Sequence, residues 1–220
     1  NNPNNIAESS LNNAKAANEQ ANGVQASTVR MIAAIATPYA TATDELDWIG
    51  SRDAWLDLEK GAISNYLNEF TDGAFPYVGE ARYLGDETIK RLEGFAANGS
   101  LKDQTPLARS YLYTAITYAS ISDMWGDFAF SNKTVPAKPV GRANMGSLYD
   151  SAIGNLTKAL AVPGIDAELR YDITAWRARV KHGKAVWALI SPEVALLLLR
   201  DRGWSAPCWS GSCTGRGSPT

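Results

Sequence analysis

Chemistry in a chain of 220 residues starts from its reactive side chains, and here they are few and scattered. The single histidine, His182, lies between Lys181 and Gly183, off the stripe of Val180, Gly183 and Trp187. No serine or cysteine is spaced to be its partner, as nucleophilic catalysis requires. Acids occur in clusters, Asp44, Glu45 and Asp47, then Asp123 and Asp127. Such groups hold a cation only when they converge. Their spacing reads as solvated faces and helix caps, so no metal site is expected. Cys208 and Cys213 sit in a Gly/Ser-rich tail, where a metal would need two further ligands and a disulfide an oxidising compartment. The pair is assigned no function. The chain is therefore expected not to be an enzyme and to need no cofactor.

Aromatic side chains are the better lead. A sugar presents apolar C–H faces and a rim of hydroxyls, so its sites pair a flat ring with amide and carboxylate groups. Phe75 and Tyr77 stand where a loop is expected to enter a helix, within reach of a ligand. Trp48 and Trp55 lie in an acidic stretch upstream. Packing competes for the same residues, because Phe75 can staple the start of its helix and the tryptophans can fill the core.

The elements that must position these residues are helical. Leu107, Tyr111, Ala115 and Ala119, with Ala108, Leu112 and Ile116 beside them, form the i, i+4 stripe of a helix buried on one side. Thr105-Pro106 opens it as cap and first position. Trp125-Gly126-Asp127 closes it with a glycine able to take positive φ, residues 128–130 leave in extended form, and the segment 128–136 is able to pair locally. Upstream, a helix is expected from Val24 to about Tyr39, kinked or interrupted by Pro38. Two short helices are expected around Gly50-Ser51, then a loop over 68–76 with an Asp72-Gly73 turn. A helix follows over 77–97, ended by Asn98-Gly99. After a long loop over 131–146, the sequence predicts helices over 148–160, with Leu148, Ala152, Leu156 and Leu160 aligned, and over 173–190, with Ile173, Trp176, Val180, Trp187 and Ile190 on one face.

With 45% hydrophobic and 20% charged residues, the chain can bury a core. Lys plus Arg total 21 against 23 acids, which leaves no concentrated basic face and excludes a nucleic-acid binder. The most apolar run, residues 194–199, stops at Arg200 and is too short to span a bilayer. The opening Asn1-Asn2-Pro3-Asn4-Asn5 is no signal peptide, so export would need a signal already removed. The chain divides into a polar leader (1–23), a helical domain (24–190) and an irregular tail (191–220), expected to be a truncated or out-of-frame end.

Ala108-Arg109 in an aromatic-rich helix, followed by Trp125-Gly126-Asp127 and the apolar exit Phe128-Ala129-Phe130, resembles the best-kept segment of the SusD/RagB family of outer-membrane nutrient-binding lipoproteins. There the turn reads Tyr-Gly-Asp and the exit resembles Val-Pro-Leu. Residues 148–163 and 173–190 resemble the family's next two helices. Residues 68–92 resemble the preceding one, with Asp86 where an Asn is often found. Ala152-Ile153, Leu156, Lys158-Ala159-Leu160 and Pro163 also match the second helix of a tetratricopeptide repeat. The resemblance implies an all-α fold of tetratricopeptide-like hairpins in a superhelical domain, incomplete at its C-terminus. It implies capture of an oligosaccharide or peptide and delivery to a TonB-dependent transporter at the outer-membrane cell surface, with membrane contact only through a lipid anchor outside this chain. The aromatic and Asn groups of the family's glycan site correspond to the region of Phe75, Tyr77 and Asn68, with Trp48 and Trp55 as further candidates. Trp125, Gly126 and Asp127 are implied to be structural. The rival expectation is a helical-repeat scaffold that binds peptides or proteins in its groove.

Overall fold

The computed structural model describes residues 8–61, 67–132 and 134–190. The chain is all-α: α1 (Glu8–Leu11), α2 (Ala17–Ala42), α3 (Asp53–Glu59), α4 (Glu69–Ala97), α5 (Thr105–Met124), α6 (Ser147–Ala161) and α7 (Ala167–Ile190). Among the described residues the sheet-like pairing is one antiparallel bridge, Ala129 to Pro139. The expected tail over 191–220, with Cys208 and Cys213, lies outside the described residues.

The fold is built around α5, which packs against α2, α4, α6 and α7. Its predicted stripe is buried, but so are Ser110, Thr114, Thr117 and Ser122 on other faces, and 13 of its 20 residues are buried. The expectation of a helix covered on one side is corrected to a central helix covered nearly all round. Three of these short hydroxylated residues find carbonyl partners, two of them one turn back on the same helix. Ser110 donates to the Pro106 carbonyl at 2.8 Å, Thr117 to Tyr113 at 3.1 Å and Ser122 to Met145 at 3.0 Å. Arg109 ties the same helix to α2, donating to Asn22 at 2.8 Å and Gln25 at 2.6 Å.

Four local expectations are overturned. The leader does not extend to residue 23, because α2 starts at Ala17 and buries Ala17, Gln20, Ala21 and Val24. Of the kink or interruption expected at Pro38, the interruption is not seen. Pro38 omits one backbone bond near the terminus, its ring is buried, and α2 runs on to Ala42. Residues 44–60 hold one short helix rather than two, with Trp48 outside it. Residues 68–76 are not a loop. Asn68 caps α4, its Oδ1 accepting from Phe70 N at 3.1 Å and Thr71 N at 3.4 Å, while Glu69 and Asp72 complement the first turn. That cap outweighs the Asp72-Gly73 and Pro76 punctuation.

The turn after α5 also closes differently. Gly126 is not among the residues with positive φ, whereas Gly141 is, at 87°. Trp125 leaves the helix extended, and Asp127 Oδ1 accepts from Phe128 N and Gly141 N, both at 2.8 Å. Val140 N donates to Phe128 O at 2.9 Å, so the carboxylate closes the neck of the following loop.

Candidate ligand-binding site

Helices α2, α3 and α4 enclose an open groove of about 290 Å³. Its floor is small, with Ala33, Ala34, Thr37, Gly73 and Ala74, and its walls are Trp55, Phe70 and Tyr77, with Glu69 at the rim. Residues 70, 73, 74 and 77 are i, i+3, i+4 and i+7 on α4, which is why one helix supplies so much of it. A side chain added at Gly73 would meet nothing within 4 Å, so the groove is open there.

The expected pairing of Phe75 with Tyr77 is not realised. On a helix, residues two apart point about 200° apart, and the predicted platform assumed a loop that α4 replaces. Tyr77 is 38% exposed, lines the groove and has the Arg30 guanidinium 5.6 Å from its ring. Phe75, 43% exposed, instead approaches Phe128 at 5.6 Å, on the side of the loop beyond α5. Asn68 is 2% exposed and committed to backbone, its amide nitrogen donating to Ala54 O at 2.7 Å. Trp55 stacks on Phe70 with centroids 3.9 Å apart and has Trp48 at 5.7 Å. Arg52 lies 5.2 Å from the Phe70 ring and pairs with Glu69, joining α3 to α4. The tryptophans thus pack with each other and with α4, and Trp55 also lines the groove.

Of the turn residues, Asp127 supplies the hydrogen bonds of the neck described above, and Trp125 packs against the core between α2 and α4. Behind it, Phe130 stacks on Tyr118 at 5.5 Å and meets Phe128 edge-on at 5.3 Å. Arg82, buried in α4, donates to the Ser131 carbonyl and lies 5.5 Å from the Phe130 ring. Asp86 accepts from the Tyr118 hydroxyl at 3.0 Å and pairs with Arg82 at 3.6 Å. Burial raises its carboxyl above the usual carboxylate range, against the lowering effect of Tyr118 and Arg82.

His182 is exposed beside a second groove of about 400 Å³, lined also by Tyr39, Asp123, Met124, Tyr149, Arg179 and Trp187. Ser122 lines it too, but its hydroxyl is bonded to Met145. Asp123 accepts from Tyr149 at 2.6 Å and pairs with Arg179 at 2.5 Å. Burial raises the Tyr149 hydroxyl, which stays protonated. Among the described residues no group of three or more His, Cys, Asp or Glu gathers to hold a metal. No described helix is long and apolar enough to cross a membrane.

Phe70, Arg30, Arg52 and Glu69 were missed by sequence reasoning. Phe70 precedes Tyr77 by seven residues, a spacing that signals a shared face only once residues 68–76 are taken as helix. Compared with family models, with curated proteins and with solved structures, the chain matches none.

Proposed function

We propose that this chain belongs to a nutrient-capture protein of the SusD/RagB kind, which is not an enzyme. It holds an oligosaccharide or oligopeptide at the bacterial cell surface and delivers it to a TonB-dependent outer-membrane transporter. The observation that carries this reading is the Trp125-Gly126-Asp127 exit of the central helix, whose Asp127 organises the loop neck. Support also comes from α6, where Ala152 and Ala159 are fully buried and Pro163 follows, as expected of the second helix of a tetratricopeptide-like repeat. The groove of Tyr77, Trp55 and Phe70 supplies aromatic surface, with the Glu69 carboxylate, paired with Arg52, at its rim.

Gly73→Leu tests the groove without threatening the fold, since it fills open space while removing a helix glycine worth about 1 kcal/mol. Calorimetric titration of the wild-type chain with a panel of hexasaccharides (maltose, cellulose, xylan and laminarin series) identifies a bound glycan. Gly73→Leu is expected to weaken its binding by about tenfold or more, and Phe75→Ala, on the opposite face, to leave it unchanged. Equal affinity in wild type and Gly73→Leu would remove the groove from the reading.

A further inference from the structure

A different surface carries its own binding chemistry. Helices α4 and α6 both rest on α5, and between them runs a valley of about 340 Å³ lined by Asp86, Ile89, Lys90, Glu93, Tyr118, Ser151 and Asn155. Small-molecule pockets are usually lined mostly by apolar groups. This one has a single aliphatic residue, Ile89, at its bottom. Its charges are largely cancelled from within, because Asp86 is paired with Arg82, and Glu93 with Lys158 at 2.9 Å across the valley. Glu93 also accepts from the Tyr111 hydroxyl at 2.5 Å. The half-buried Asn155 carboxamide and the exposed Lys90 ammonium have no hydrogen-bonding partner among the described residues.

We propose that this valley binds a neutral, hydroxyl-rich small molecule of monosaccharide or disaccharide size, at a site separate from the aromatic groove. Only a ligand dense in hydroxyls reproduces the hydrogen bonds of the water it displaces from such a lining. An apolar ligand forfeits them, and a charged one meets no uncompensated partner of opposite sign except Lys90. The alternation of parts fits that class. Asp86 accepts, Lys90 donates, Asn155 on α6 does both, and Ser151, whose proton goes to the Ser147 carbonyl at 3.4 Å, accepts. The Tyr118 hydroxyl, donating to Asp86 at 3.0 and 3.1 Å, fixes the carboxylate in place before a ligand arrives.

Nuclear magnetic resonance titration of the full chain with glucose, galactose, mannose, xylose, maltose and cellobiose tests this. At least one sugar is expected to shift the amides of Lys90, Ser151 and Asn155 while leaving Glu69, Phe70 and Tyr77 unmoved. Asn155→Leu, at a helix position where leucine is well tolerated, should weaken that binding by about tenfold, and Lys90→Ala should weaken it too. Gly73→Leu should leave it intact. No shifts in the valley with any sugar, or shifts that Asn155→Leu and Lys90→Ala do not diminish, would overturn the proposal. Hexasaccharide binding lost only in Gly73→Leu would then leave the nutrient-capture reading standing.

Discussion

At the level of single residues, Asp86 and Glu93 sit two helical turns apart on α4 yet are pushed in opposite directions. Burial raises Asp86, whereas the Tyr111 hydrogen bond, with help from Lys158, lowers Glu93 below its ordinary value. Linkage then gives opposite signs. The folded chain holds the Asp86 proton more tightly than the unfolded chain, so stability falls as pH rises from 3.8 through the raised value. For Glu93 the folded chain holds the proton less tightly, so stability falls as pH drops below 4.5. In urea melts between about pH 3 and pH 7, the wild type is expected to lose ground to Asp86→Asn as pH rises and to gain on Glu93→Gln. The same slope in both comparisons would contradict the geometry. Trp176 makes a second case. Its place in the α7 stripe suggests full burial, but the ring is only half-buried, packed against the core with Arg179 5.8 Å from it. Trp176→Ala is therefore expected to cost about 2 kcal/mol, less than the 3–5 kcal/mol typical of a fully enclosed tryptophan, as denaturant melts would report.

At the level of elements, α5 and α6 were legible because their apolar residues recur at helical spacing and those faces are buried: Leu107, Tyr111, Ala115, and Leu148, Ala152, Leu156. The start of α2 was not, because Ala17, Gln20 and Ala21 offer little hydrophobic contrast. Gln20 is buried through its bonds to the Leu11 carbonyl, at 3.0 Å, and to Arg91, at 2.7 Å, neither visible as periodicity. The first turns of α4 were hidden by Asp72-Gly73 and Pro76, whose turn signals a tertiary context overrode through the Asn68 cap. That misreading is also why Phe75 and Tyr77 looked like one platform. Asn68→Ala removes both the cap and the bond to Ala54, and it is expected to destabilise the chain by about 1–3 kcal/mol. Hydrogen exchange should quicken first over residues 69–77. Unchanged stability and exchange would mean that α4 does not depend on its cap.

At the level of the whole molecule, one buried helix, packed by α2 and α4 and by the α6–α7 hairpin, leaves its loop neck, two grooves and the α4–α6 valley on the surface. Among the described residues, the polar side chains that meet largely hold helices and loops together. The nutrient-capture reading differs from the general interaction scaffold in one respect, the identity of the large partner. The direct measurement is to express the tagged protein in the organism that encodes it, solubilise the outer membrane in mild detergent, and determine what co-purifies by mass spectrometry. A TonB-dependent transporter recovered in near-equal amount is the expected result. Recovery of the protein from the outer membrane without any such transporter, or from the cytoplasm alone, would contradict it.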